Sequence, residues 1–412
     1  MPGAAANTGR RRALRDLVRP ARIYRRFGLC PVMVMVVTDI PLSSADGLAP
    51  ARVVVITGGS SGIGRCTARV FARHGWKVGL IARGTAGLAA AVEDVRLAGA
   101  IGAIAVADVA DSAALERAAE SLVAALGPLD AWINAAGNGV YGRLLDVPEA
   151  EYRRVTDVTY MGTVNGTRTA LRRMMPRDHG TIVNVCSGIA FHGLPLMTSY
   201  VGAKAAVRGF GQSVRAELRL SRSRVHVGTV FPPAVNTPFF SHSPSYMGFP
   251  SRPVPPVYQP EIVAQALYMA ATGKHREMTV SSIVLAFSLV SRLSPALAAW
   301  LTERLRFDAL LSRDPAALDA EEHTLFTPPL RIFSVHGPFG HRARRWSAQV
   351  WLRWNCRKLG DLLSSRRAEQ VSRPLRDAPP APRSLPGPAD TAPDPARAGS
   401  DAPAAAASDS CR

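Results

Sequence analysis

The sequence predicts an α/β chain organised around a doubly wound parallel sheet, and three observations lead there. From Arg52 to about Ser282, short and nearly continuous apolar runs alternate with helix-length segments. The first run leads directly into a glycine-rich loop followed by a helical pattern. The chain has 412 residues, 47% of them hydrophobic, enough for one large core.

The strand-like runs are RVVVIT (52–57), KVGLIA (77–82), IGAIAV (101–106), LDAWIN (129–134), GTIVNVCS (180–187), VHVGTVF (225–231) and EMTVSS (277–282). Strands buried on both faces read as continuous apolar text, and right-handed crossovers place helices on both sides. The expected architecture is therefore a Rossmann-type sheet of about seven strands over residues 51–282.

The flanks read differently. Residues 1–50 form a basic extension, expected to be disordered, within which Met33 or Met35 offers an alternative start. Residues 283–371 are expected to form a helical C-terminal extension, and 372–412 a disordered tail rich in Pro and Ala. Of the net charge of +19, residues 1–50 carry +5 and residues 331–412 carry +7. A charge excess concentrated in the ends, without zinc-finger or RNA-binding patterns, argues against nucleic acid as a partner. The five cysteines are scattered and form no C-x-x-C pair, so neither a disulfide framework nor a metal site is expected. A reducing cytoplasm suits them.

Within the extension, the longest uncharged run is Met278–Ser291, too short to span a bilayer. Ser294 and Pro295 read as the N-cap and first position of a new helix. Residues 278–306 are either a cover over a substrate cleft or, with the aromatic and basic stretch 346–363, a peripheral membrane contact.

The nucleotide end is marked by Thr57–Gly64, TGGSSGIG. Gly58 permits a sharp turn, Gly62 lets the backbone approach a pyrophosphate, and Gly64 lets the helix pack close to the strand. Ser60 and Ile63 complete the loop, whose phosphates would lie at a helix N-terminus. After the second strand the chain has Arg83 where an NAD site usually carries an acid. A guanidinium there can grip a ribose 2′-phosphate, so NADP(H) is the preferred cofactor and NAD(H) the alternative. Asp108 and Val109 follow the third strand beside the adenine position. Asn134, Ala135 and Gly137 close the fourth with small residues.

The chemical end is marked by Ser187 and, thirteen residues later, by Tyr200 and Lys204. At i and i+4 these two share a helix face. A nearby ammonium favours a phenolate, so Tyr200 could exchange a proton with an alcohol or carbonyl while Ser187 holds the substrate oxygen.

TG-x-x-x-G-x-G, NAAG, Ser187 and Y-x-x-x-K in this order resemble the short-chain dehydrogenase/reductase family over about Arg52–Ser282. The resemblance implies an NADP(H)-dependent oxidoreductase acting on a carbonyl or secondary alcohol. It implies that Lys204 also binds the nicotinamide ribose. In FPPAVNTPF (231–239), Pro232, Val235 and Thr237 would face the nicotinamide, with Pro233 replacing the usual glycine. It also places Thr159 where the family often has an asparagine of the proton relay. Related enzymes pair through the helix carrying the Tyr, so a homodimer or homotetramer is expected. The loop 238–258, rich in Pro, Phe, Tyr and Met, suggests an apolar lid and an apolar substrate. Two alternatives stay open on the residues: a regulatory or scaffold protein that keeps the fold without turnover, and an epimerase or dehydratase with bound NAD. The glycine spacing and Arg83 argue against the latter, and intact Ser187, Tyr200 and Lys204 against the former.

Overall fold

A computed structural model describes residues 34–37, 51–305, 307–312 and 322–356. The first strand is β1 (Val34–Val37). There follow β2 (Val53–Thr57), α1 (Gly62–Arg73), β3 (Lys77–Ala82), α2 (Thr85–Leu97), β4 (Gly102–Val106), α3 (Ser112–Leu126) and β5 (Ala131–Asn134). The second half contributes α4 (Glu149–Thr156), a π-helical turn at Asp157–Met161, α5 (Gly162–Met174), β6 (Thr181–Val185), α6 (Thr198–Leu220) and β7 (His226–Phe231). After these come β8 (Ala234–Val235), α7 (Phe239–His242), β9 (Val257–Tyr258), α8 (Pro260–Gly273), β10 (Glu277–Thr279), α9 (Ser282–Leu293), α10 (Pro295–Glu303) and β11 (Ala343–Arg344).

The main sheet runs β1-β4-β3-β2-β5-β6-β7-β10. Seven strands are parallel, as expected for the seven apolar runs. The eighth, β1, lies antiparallel against β4, with Val34 opposite Ala105. It comes from the segment assigned above to a basic extension. Its VMVV text has the apolar character an edge strand needs, but four residues are too few to stand out from sequence. The expectations for the rest of 1–50 and for the tail from 372 lie outside the described residues.

Strand alternation builds a core on each face. Val54 and Ile56 of β2 join one cluster with Phe71, Leu80 and Ile133. Val53 and Val55 join the other with Leu115, Leu122 and Trp132. Phe71 anchors α1 and α8 together, its ring edge-on to Trp76 at 5.0 Å and to Tyr268 at 5.1 Å. The sheet's carboxyl edge is thus a rigid rim from which loops of the site emerge.

The C-terminal extension is helical only in part. Ser281 caps α9 by accepting from the Val284 N–H at 3.4 Å. Ser294 caps α10 by accepting from the Leu297 N–H at 3.3 Å, with Pro295 in the first turn. Residues 322–339, by contrast, form an irregular strap without α-helix, and 348–356 are helical again. Some of the strap's backbone groups bond to other parts of the protein, and the Leu330, Arg331 and Ile332 N–H groups to the strap's own Glu322 carboxylate, in place of helical bonds.

One glycine carries the junction of strand and helix. A Cβ on Gly64 would stand 2.2 Å from the Gly58 carbonyl oxygen, so α1 could not begin where it does. Gly64→Ala is expected to lower stability by about 1–3 kcal/mol, the scale of overpacking, and to weaken nucleotide binding. Denaturant midpoints and a nucleotide titration check both; an unchanged midpoint would show that the junction has slack.

Candidate active site

The carboxyl edge of the sheet opens into a cavity of about 550 Å³. Gly58, Ser60, Gly62, Ile63 and Gly64 border it at one end and Ser187, Tyr200 and Lys204 in the middle. Arg83, Asp108, Val109, Ala135, Gly137, Pro232, Val235 and Thr237 border it as well. Two of the sequence-expected residues stand behind the wall. Asn134 is buried in the core, where its side-chain oxygen accepts from Trp132 Nε1 at 2.7 Å and its amide donates to Asn184 Oδ1 at 2.8 Å and Thr167 Oγ1 at 3.1 Å. Thr159 is buried one layer down.

The cradle suits a dinucleotide. Gly58 and Gly62 have φ of +68° and +50°, which an L side chain rarely adopts. A Cβ on Gly58 would come within 2.7 Å of the Ala136 backbone. Asn138 Nδ2, on the cavity wall, is buried without a hydrogen-bond partner among the described residues. A loop free of side chains at these glycines, beside an unused amide donor, suits a phosphate and a carboxamide or sugar hydroxyl, although the Gly62 N–H is bonded here to the Ser334 carbonyl.

At the chemical centre, β6 delivers Ser187 and the first turns of α6 deliver Tyr200 and Lys204. Lys204 Nζ donates to the Val185 carbonyl at 2.7 Å and lies 5.5 Å from the centre of the Tyr200 ring. Cys186 Sγ donates to the Lys204 carbonyl at 3.2 Å, tying strand to helix a second time. The Tyr200 ring rests against Phe239, 5.2 Å between centres.

Burial dominates both titrations. It pushes the Tyr200 phenol well above its usual value, with nearby Cys186 adding to the rise. It lowers the Lys204 ammonium from 10.5 to about 8. In the protein alone, Tyr200 therefore carries its proton at neutral pH.

Thr159 sits within the π-helical turn, where an extra residue bulges the helix. Its hydroxyl donates to the Asn138 carbonyl and its oxygen accepts from the Asn138 N–H, both at 3.3 Å. A Cβ on Gly137 would lie 3.6 Å from Thr159 Oγ1 and 3.8 Å from Lys204 Nζ, so the three residues meet. Asn165 points elsewhere, donating to the Val109 carbonyl at 2.9 Å.

Sequence reasoning missed the surroundings of Arg83. Its Nη1 donates to the Leu325 carbonyl at 2.9 Å and its Nη2 to the Thr324 carbonyl at 2.5 Å. Arg154 Nε shares the Leu325 carbonyl at 2.9 Å, and Arg154 is ion-paired with Asp108. The strap continues along the glycine loop: the Gly62 N–H donates to Ser334 O at 3.0 Å, and Arg65 Nη1 to Phe333 O at 2.8 Å. It ends on the Thr237 loop, where the Phe339 N–H donates to Asn236 Oδ1 at 2.9 Å. Partners 241 and 242 residues from Arg83 leave no trace in local spacing.

Comparison with known proteins agrees with this geometry. A family model described as short chain dehydrogenase matches residues 52–246. An uncharacterized oxidoreductase, YxnA, of Bacillus subtilis (strain 168) is 32% identical over 267 residues, covering 64% of this chain and 75% of its own length. A short chain dehydrogenase/reductase from Burkholderia phymatum, solved in complex with NAD, shares the fold at a TM-score of 0.56 and 24% identity, covering 60% of this chain and 95% of that one. A single-residue variant of the actinorhodin polyketide ketoreductase, solved with NADPH, superposes at a TM-score of 0.50 and 26% identity, covering 56% of this chain and 95% of its own.

The buried amine sets a stability test. Its pKa is 10.5 when unfolded and about 8 when folded, so between these values the unfolded chain binds more protons. Stability then rises as pH climbs through that window, and is lost again as pH falls towards 8. The full contribution is on the order of 3 kcal/mol at about 1.36 kcal/mol per pH unit. Lys204→Met should flatten that rise in urea denaturation between pH 8 and 10.5. Equal slopes in both proteins would mean the amine is not desolvated.

Proposed function

Because the chain belongs to the short chain dehydrogenase family of oxidoreductases, we propose that it is an NADP(H)-dependent reductase or alcohol dehydrogenase with Tyr200 as its proton donor and acceptor. The observation that carries the reading is that Ser187, Tyr200 and Lys204 border the same cavity as the glycine cradle. NADP(H), when bound, supplies or accepts the hydride at the substrate carbon. Tyr200 gives its phenolic proton to the carbonyl oxygen in reduction and takes it back in oxidation. Ser187 donates a hydrogen bond to that oxygen, stabilising the charge that develops there. Lys204 holds the nicotinamide ribose and, with Thr159 and the Gly137–Asn138 backbone, lines the route by which Tyr200 is reprotonated.

The preference for NADP(H) rests on charge balance. Arg83 and Arg154 stand together with Asp108 as the carboxylate paired there. Burial and the neighbouring Arg154 hold the Arg83 guanidinium below its ordinary value, with Asp108 opposing. A 2′-phosphate would relieve that excess of positive charge. The substrate half is apolar, walled by Phe239, Phe240, Val254, Phe287 and Leu310, which supports an apolar carbonyl or alcohol. A homodimer or homotetramer in a reducing cytoplasm completes the reading; a monomer mass by light scattering at micromolar concentration would remove the first part.

Two substitutions separate the roles. Tyr200→Phe should leave NADPH affinity nearly unchanged while turnover of a carbonyl panel falls by about two decades or more. Wild-type rates in that variant would overturn the mechanism. Arg83→Ala should raise KM for NADPH by about one to two decades, the worth of a charge-assisted contact, with a small change for NADH. An equal loss for both cofactors would make Arg83 an anchor of the strap alone. The raised Tyr200 phenol adds a sign: reduction should hold steady across neutral pH and decline only in the alkaline range.

A further inference from the structure

The two faces of the α9–α10 pair are both apolar, but they do different things. Val284, Phe287, Thr302 and Leu305 turn towards the cavity. On the other side Leu289 and Leu293 of α9 are 48% and 84% exposed, and Trp300 of α10 is 47% exposed. Ile283 and Leu301 belong to both sets: each borders the cavity and each is more than a third exposed. The substrate end of the cavity therefore opens within an apolar surface rather than beside it.

The surface continues across the mouth. Phe307, just beyond α10, is exposed, and the Arg143 guanidinium lies 5.7 Å from the centre of its ring. Next to Arg143, Leu144 and Leu145 are exposed, the latter at 95%. A cluster of exposed apolar side chains around a cavity mouth is the kind of surface that docks on a partner.

Its chemistry selects the occupant. No described helix is long and apolar enough to cross a membrane. With 12 and 9 residues, α9 and α10 reach about 18 and 14 Å at ~1.5 Å per residue, against a hydrocarbon core of ~30 Å. The Ser294–Pro295 break turns them into two short segments able to lie in an interface. The Arg304 guanidinium sits 3.9 Å from the centre of the Trp300 ring, an aromatic body beside a cationic tip, the pairing favoured where lipid meets water. The local charges are mixed, since Arg143, Arg292 and Arg304 stand near Glu303 and Asp308. The whole chain carries a net charge of +19, which draws it to an anionic surface.

We propose that the α9–α10 surface docks on an anionic lipid bilayer, with the mouth of the substrate cavity set against the lipid. An apolar carbonyl or alcohol dissolved in the membrane then reaches Tyr200 without crossing water. This last step rests on the oxidoreductase reading above; the docking itself does not.

The test uses the full chain and two kinds of vesicle, phosphatidylcholine alone and phosphatidylcholine with phosphatidylglycerol. Wild type should sediment with the anionic vesicles at low salt, stay in the supernatant with the neutral ones, and be released by high salt. Leu289→Asp combined with Leu293→Asp, neither of which borders the cavity, should weaken binding at least tenfold while NADPH binding by fluorescence titration is retained. In vesicles of brominated phosphatidylglycerol, wild-type fluorescence should be quenched, and Trp300→Phe should lose part of that quenching. Wild type left in the supernatant at low salt would overturn the proposal. So would a double variant that sediments like wild type, which would assign binding to the basic ends, or one that turns an oligomer into a monomer by light scattering, which would make the surface an interface between copies. Retained NADPH binding and Tyr200-dependent turnover alongside failed sedimentation would reject docking and leave the oxidoreductase reading standing.

Discussion

A primary amine buried beneath a parallel sheet's edge is the constraint on which this structure turns. Water no longer solvates Lys204, and the loss is large enough to bring its pKa to about 8. The amine is held inside by the Val185 carbonyl, which accepts from Nζ at 2.7 Å. That contact pins α6 to the end of β6, which in turn fixes Ser187 two residues on and Tyr200 one turn back. The Cys186 thiol repeats the tie from the strand side. Gly137 belongs to the same constraint, because it brings the β5 loop close to Lys204 Nζ and Thr159 Oγ1. A site held this way is organised before any ligand arrives.

Directly behind it, Asn134 performs the corresponding task in the core. Its side chain joins β5, β6 and α5 through Trp132, Asn184 and Thr167. A buried amide with its groups satisfied gives register as well as stability, since a shifted strand would leave several polar groups unpaired. The residue reads in sequence as part of a cofactor loop because it ends an apolar strand before small residues. Two of its partners lie 33 and 50 positions away, beyond the reach of any local pattern.

The same distinction runs through the chain. The seven parallel strands, the glycine loop and the Ser–Tyr–Lys spacing were legible, because each rests on short spacings with a direct geometric meaning: apolar runs, a tight turn, one helical turn. The π-helical turn under Thr159 was not, since DVTYM has no composition that distinguishes it from ordinary helix. Arg83 could be singled out from its place after β3, but not the strap it holds, because Thr324 and Leu325 contribute only backbone carbonyls and any residue supplies those. The Arg154–Asp108 pair was hidden for the reason that charged residues are plentiful and their pairing is tertiary. The segment 322–339, anticipated as helix, satisfies its backbone through the loops it crosses and through its own Glu322 carboxylate, partners that local sequence does not reveal.

These contrasts divide the cavity into two ends with different physics. At the nucleotide end, polar groups face one another: strap carbonyls against Arg83, Arg65 and the Gly62 N–H. Hydrogen bonds of this kind are directional and individually modest, so they fix the geometry of donors and acceptors more than they add to stability. At the far end the walls are Phe287, Leu301 and Leu305, side chains with no directional group to set an orientation. Apolar burial is roughly proportional to area and indifferent to shape in detail. Such a wall can hold an apolar group only by the surface that group hides. The polar end thus offers a few directional donors and acceptors, while the far end offers apolar area without direction.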